Sequence, residues 1–310
     1  MGRSFTGRTL AVQSTVMQWF ANLTSAVDDP AGWARDREAE GYDGVACSDH
    51  FWVARQHVTP FPHLWVTLAT MAAATERAVL QPAFANNLFR HPVEFAQASL
   101  SMQVVSGGRF EAGLGAGWAR DEMERTGQEF PDGRTRARMF HEAVQIVREV
   151  VAGRPCRFEG EHYQVDVPAL GPLPATPPPV TASVGSPWTM RHITPLVDRV
   201  ELKMGRSTRG GGLDLGELAS VTLAEVQEMV DTVKSANPDV KVSILAFVGC
   251  GPHVSSMQQV LGDGLYGSMV GEPERVAENL LALGELGIDR VQVSQWLPGS
   301  MTAVAPFLQH

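Results

Sequence analysis

Short apolar runs alternate with helix-like stretches along nearly the whole chain, and this rhythm restricts the fold more than any other feature. The runs lie at 10–16, 44–48, 78–84, 109–114, 180–184, 199–204, 240–248 and 290–296. Helix signals fill most of the gaps between them. Asp29-Pro30, Pro62, Pro92 and Glu272-Pro273 stand where a first helical turn tolerates proline. A long amphipathic stretch covers 134–152. Alternation of this kind implies parallel strands covered by helices. Eight such repeats predict a closed (β/α)8 barrel. The competing architecture is a doubly wound sheet, but its GxGxxG after the first strand is missing.

All 310 residues fit one barrel domain spanning 1–310, a length that α/β barrels reach without dividing. Two insertions break the rhythm. Residues 156–165 read as a small hairpin turning at Gly160, followed by the proline-rich GPLPATPPP. Residues 205–216 form a glycine-rich loop whose composition predicts mobility.

The chain is 44% hydrophobic and 19% charged, which suits a large packed core. Its net charge of −9 argues against nucleic acid or an anionic membrane as partner. No apolar run reaches the roughly 18 residues of a membrane span, and the N-terminus carries no apolar signal core. Cys47, Cys156 and Cys250 are odd in number and widely spaced, so neither a disulfide framework nor a zinc ligand set is expected. A reducing, cytoplasmic setting fits that pattern.

In such a barrel the chemistry sits at the C-terminal ends of the strands. The first strand is expected to deliver Trp19, the second Asp49, His50 and Trp52. The third delivers Ala83, Phe84 and Asn86, and the fourth Gly115, Gly117 and Trp118. The fifth delivers Ser183, Gly185 and Ser186. This mixture of aromatic, small and polar residues suits a flat conjugated cofactor and a small-molecule substrate. Trp19, Trp52 and Trp118 would meet an apolar or aromatic substrate, although tryptophans can also simply cap a barrel. His50, His57 and His63 are spaced too irregularly for a metal cage, HExxH is absent, and so is the GxSxG of a nucleophile elbow. Asp49-His50 reads either as a turn cap with a surface histidine or as an imidazole that manages a proton beside a ring exchanging hydride.

Three motifs then carry a resemblance. Arg90-His91-Pro92, Ser106-Gly107-Gly108-Arg109, and Gly113-Leu114-Gly115-Ala116-Gly117-Trp118 with Glu122 resemble the signature of luciferase-like flavin or deazaflavin oxidoreductases. Ser48-Asp49-His50-Phe51 resembles the aspartate–histidine pair of the deazaflavin-using branch. Val270-Gly271-Glu272-Pro273-Glu274-Arg275-Val276 is similar to the family's motif before its last repeat. The resemblance implies the deazaflavin F420 as hydride carrier. FMN with monooxygenation is the alternative, and a non-catalytic flavin-binding barrel is the reading of another class. Catalysis would fall to His50 with Asp49 holding it. The cofactor would be bound by Ala83, Phe84, Asn86, Gly115, Gly117, Ser183, Gly185 and Ser186. The segment Ala83–Asn86 would form a bulge behind the ring, often through a non-prolyl cis peptide. A basic rim for the acidic cofactor tail would draw on Arg55, Arg90, Arg206 and Arg209. A homodimer packed through helices such as the alanine-rich 71–74 face is also implied. Two departures stand out. The strand-five segment lacks the usual run of glycines, and Trp118 replaces the acidic residue of sugar-phosphate dehydrogenases.

Overall fold

The computed structural model describes residues 16–54, 58–205 and 214–308. Its centre is one parallel sheet curled into a barrel. In chain order the strands of this sheet are β1 (Gln18–Leu23), β2 (Gly44–Cys47), β5 (Val79–Pro82), β6 (Ala85–Asn86), β7 (Ala112–Gly115), β10 (Val180–Val184), β11 (Arg199–Leu202), β12 (Lys241–Val248) and β13 (Arg290–Gln295). They are ordered β5-β2-β1-β13-β12-β11-β10-β7-β6. The ends of that order meet: Leu80 of β5 bridges Phe110 in parallel, and β6 pairs with β7 at Ala85↔Leu114 and Asn86↔Gly115. β5 and β6 therefore act as one interrupted stave, and nine segments close an eight-stave barrel as the alternation predicts.

The interruption is local and steric. A non-prolyl cis peptide joins Ala83 to Phe84, as the family resemblance implied. Gly113 of the neighbouring stave lies so close that an added Cβ would stand 2.0 Å from the carbonyl oxygen of Pro82. Only glycine lets the two backbones approach there.

The first strand is displaced from the sequence expectation. Residues 10–15 lie outside the described residues, and the stave itself is Gln18–Leu23, paired with both β2 and β13. Its polar members hid it. Gln18 accepts hydrogen bonds from Arg290, and Asn22 donates to Gln292, so both face polar partners inside the barrel. Polar residues on the inner face blur the apolar run that marks a parallel strand.

A band of paired charges fills the barrel at the strands' N-terminal ends. Arg290 donates to both oxygens of Glu111, at 2.6 and 2.8 Å, and its guanidinium lies 3.8 Å from the Phe20 ring centre. Arg199 pairs with Asp289, whose other oxygen accepts from Val242 N–H.

Helices cover the outside. Asp29 caps Pro30–Ala39, Asp132 caps Gly133–Val151, and Thr222 with Glu225 forms a capping box on Leu223–Ala236. Helix Pro92–Val105 buries Phe95, Ala96, Ser99, Leu100 and Met102, and leaves Val104 exposed. Two excursions leave the barrel. β3 (Trp52–Ala54) pairs with β4 (Val58–Pro60), and β8 (Cys156–Glu159) pairs with β9 (Gln164–Val167), both antiparallel. The second is the expected hairpin, with Gly160 just past its first strand. The expected mobile loop 205–216 lies mostly outside the described residues. Cys47, Cys156 and Cys250 are buried and free. No helix among the described residues is long and apolar enough to cross a membrane.

Candidate active site

A cavity of about 810 Å³ opens at the C-terminal ends of the strands. The second, third and fourth staves build one wall of it. After β2 the chain turns outward through Ser48-Asp49-His50, and each of these side chains is engaged. Asp49 is buried and accepts from the Asn86 backbone N–H at 2.7 Å. Arg90 clamps the same carboxylate at 2.5 and 3.1 Å. Asp49 thus ties the β2 turn to the backbone just beyond the Ala83–Phe84 bond. Such a bidentate, charge-assisted pair fixes geometry as well as energy.

His50 does not rest on Asp49. Its Nδ1 lies 2.5 Å from Oε1 of Glu122, and Glu122 Oε2 accepts from Phe51 N–H at 2.8 Å. Glu122 is 2% exposed, so its negative charge is held in a dry place. It stands in the short helix Arg120–Arg125 that follows the glycine loop after β7. A carboxylate on Nδ1 fixes the tautomer and leaves Nε2 as the nitrogen for chemistry in the cavity. Trp118 and Phe61 pack edge-on against the imidazole, with ring centres at 5.4 and 6.2 Å.

The opposite side of that wall is almost bare. Ala83, Ala85, Gly115, Ala116 and Gly117 line the cavity with nothing larger than a methyl group. A Cβ on Gly115 would lie 3.2 Å from Phe84 Cβ, and one on Gly117 would lie 2.3 Å from the Asn86 side-chain oxygen. Gly117 also has φ of 82°, which glycine adopts without strain.

Ser183, Gly185 and Ser186 line the cavity at the end of β10. Ser186 caps helix Pro187–Ile193 in a capping box with Thr189. The Thr189 hydroxyl takes the Gly185 and Ser186 backbone N–H groups at 3.3 and 3.0 Å. A Cβ on Gly185 would stand 2.7 Å from the Lys203 carbonyl oxygen.

Thus His50, Asp49, Ala83, Phe84, Asn86, Gly115, Gly117, Ser183, Gly185, Ser186, Trp52 and Trp118 converge on one cavity. Trp19 does not. It is the second residue of β1, 4% exposed, and its backbone N–H is tied to Asp43 at the other end of the barrel. The displaced first stave is the cause. Its C-terminal end brings Thr24 to the cavity instead. Arg90 is likewise no rim cation, because Asp49 consumes it, and Arg55, Arg206 and Arg209 lie outside the described residues. Among the described residues the positive charge lining the cavity comes from Arg134, Arg136 and Arg138, at the start of helix Gly133–Val151, and from Lys203 just after β11. Sequence reasoning passed over the arginines because they read only as the polar side of a helix. Glu122 carried a signal, its place four residues after the glycine-rich loop, yet its partner could not be read from spacing.

Among the described residues no group of three or more metal-ligand side chains converges. His50 is committed to Glu122, and His91 caps the helix that follows it.

A family model described as luciferase-like monooxygenase matches residues 10–210. The chain is 28% identical over 223 residues to an F420-dependent glucose-6-phosphate dehydrogenase of Tsukamurella paurometabola, covering 67% of this chain and 64% of that protein. It is 30% identical over 157 residues to an F420-dependent hydroxymycolic acid dehydrogenase of Mycobacterium tuberculosis, covering 50% of this chain and 43% of that protein. The matched stretch thus spans about half to two thirds of these relatives. In structure the chain is similar to an F420-dependent secondary alcohol dehydrogenase solved with an F420-acetone adduct, with a TM-score of 0.73, 18% identity, and coverage of 95% of this chain and 99% of the other. That likeness concerns the barrel and its topology. With a matched span that takes in the His50 turn, the bulged third stave, the glycine loop and the β10–β11 ends, the chain belongs to the luciferase-like monooxygenase family.

Proposed function

We propose that the protein is an oxidoreductase that uses F420 to move a hydride to or from a small organic substrate. The observation that carries this reading is the pairing of His50 with buried Glu122 beside a cavity wall built largely of alanine and glycine. A cavity of about 810 Å³ lies within the range of about 300–1,000 Å³ of small-molecule sites. The small faces of Ala83, Ala85, Gly115, Ala116 and Gly117, with the Phe84 side chain among them, fit a flat ring. Ser183 and Ser186 hydroxyls, with Arg134 nearby, fit a phosphate-bearing tail. Gly185 and Ser186 amides serve Thr189, so their part there is structural. When bound, F420 supplies the hydride chemistry. The relatives named F420-dependent and the match at Ser48-Asp49-His50-Phe51 favour it over FMN.

The protein's own share is positional and electrostatic. Asp49 and Arg90 hold the backbone at Asn86, and with it the bulge behind the ring. Glu122 orients His50 through Nδ1 and so presents Nε2 to exchange a proton in the cavity. Trp52 and Trp118 exclude water and shape an apolar or aromatic substrate space. Trp118 at this position speaks against a sugar phosphate as substrate.

Titration with F420 and with FMN, followed by visible absorption, tests the cofactor. His50→Asn should lower turnover roughly 10²–10⁴-fold while F420 affinity changes little. Tight binding of FMN without any of F420 would reverse the cofactor assignment, and wild-type turnover in His50→Asn would remove the histidine from the chemistry.

The same reading includes a homodimer in a cytoplasmic setting. The expected face needs revision, because Met71 and Ala72 point into the core, and Val66 on the same helix is 66% exposed instead. Val66 and Ala73, with Thr70 between them, form the exposed face of this helix that a second copy would cover. Light scattering should give twice the 33.6 kDa chain mass, and a monomer at micromolar concentration would end this part of the proposal.

A further inference from the structure

One cation of the cavity has no task in the site described above. Lys203 follows β11 and lines the cavity on the side away from His50's wall. Met204, Leu245, Phe247 and Tyr266 line the same cavity. Tyr266 spends its hydroxyl on the Leu245 carbonyl. Among the described residues Lys203 Nζ has no carboxylate within 4.0 Å and no hydrogen-bonding side chain.

The acidic groups around the cavity are engaged elsewhere. Asp49 is held by Arg90, Glu122 by His50 and Phe51 N–H, and Asp121 by the Trp52 indole at 3.1 Å. Glu201, two residues before Lys203 on β11, is fully enclosed with one oxygen unpartnered. Burial pushes the Glu201 carboxyl up to about 7, against the attraction of Lys203 and of Arg290 and Arg199 below it. Burial also lowers the Lys203 ammonium, with Glu201 opposing. A lysine placed this way costs desolvation energy that the attraction of Glu201 offsets only in part.

The cavity arginines differ from this lysine. Arg138 pairs with Glu161, and Arg136 stacks on Phe130. Arg134 is exposed on the first turn of its helix. The cavity therefore has an open cationic rim and a separate, half-buried cation beside apolar side chains.

We propose that Lys203 anchors the substrate, and that the substrate is a monoanion with an apolar body, such as an aryl or alkyl carboxylate. The anionic group meets the ammonium, and the apolar body lies along Leu245, Phe247 and Met204. A neutral substrate would leave the ammonium without a partner, and a strongly polar one would waste the walls. Lys203 is then a specificity residue within the oxidoreductase reading, and its role rests on that cavity being the reaction chamber.

The test uses two probes of nearly equal shape on the protein without cofactor: anilinonaphthalene sulfonate, an apolar monoanion, and N-phenylnaphthylamine, its neutral counterpart. Energy transfer from the cavity tryptophans reports binding at this site. Wild type should prefer the anion, and Lys203→Met should lose about tenfold or more of anion affinity, the scale of one charge-assisted contact, while the neutral probe binds as before. Lys203→Arg should keep the preference, which separates lost charge from lost packing. Thermal unfolding of each variant checks that it is folded. An unchanged anion preference in folded Lys203→Met overturns the proposal, as does a preference that disappears in Arg134→Gln instead. F420 titration of Lys203→Met should match wild type. A protein that binds no F420 yet shows the Lys203-dependent preference would refute the cofactor reading and leave the anchor standing.

Discussion

Glu122 is the residue on which the candidate chemistry turns. Its two oxygens do different work, one on His50 Nδ1 and one on Phe51 N–H, so it fixes both the ring and the backbone that carries it. In Glu122→Gln one oxygen remains to accept, but the charge beside the imidazole is gone, and the amide nitrogen meets a donor. Turnover should fall about 10–100-fold, the usual scale for an orienting partner, with F420 affinity nearly unchanged. Steady-state reduction and cofactor titration on the same preparation check this. Equal losses of turnover and affinity would mean that Glu122 only supports the fold. The sequence displayed His50 and Glu122 but not their contact, because 72 residues separate them and two different staves bring them together. Asp49, adjacent in sequence, was the nearer guess for the carboxylate. It faces the other way, toward Asn86 N–H and Arg90, since consecutive side chains leave an extended segment on opposite sides.

At the scale of elements, the staves are joined by charge inside the barrel as well as by backbone pairing. Glu111 enters β7 and meets Arg290 at the start of β13, across the barrel rather than beside it. Burial by itself would raise the Glu111 carboxyl, yet the hydrogen bonds and charge of Arg290 outweigh it and hold the group below its ordinary value of 4.5. An acid with a depressed pKa in the folded state adds stability above its unfolded pKa and loses that contribution as pH falls through the folded value. Acid unfolding should therefore include this pair. Glu111→Gln should cost about 3–5 kcal/mol near neutral pH, because Arg290 would be left buried with half its partners. Its stability should also fall less steeply below pH 4.5 than that of the wild type. Urea unfolding across pH checks both, and equal acid sensitivity in the variant would place the acid lability elsewhere. The same polar interior explains why β1 was hard to place. Gln18 and Asn22 look like loop residues until their partners Arg290 and Gln292 are known.

For the whole molecule, the chain's own rhythm determined the architecture. A closed barrel follows from alternating strands and helices, because each parallel strand needs a covering crossover and eight of them can bury every sheet edge. The family motifs determined more: the cis bond between Ala83 and Phe84, and the set of strand ends that share the cavity. These features are local. They depend on residues within a few positions of one another, or on all staves obeying one rule. Tertiary structure alone decided which carboxylate meets His50, that Trp19 lies at the far end of its stave, that Arg90 is consumed by Asp49, and that Lys203 reaches the cavity with no ion pair among the described residues. Each of these depends on the register of staves distant in sequence and on which way a side chain points. A shift of one residue along a strand turns a side chain to its other face. The sequence therefore determined the barrel and most of the strand ends that reach the site, and packing across the barrel decided the remaining members and which of them touch.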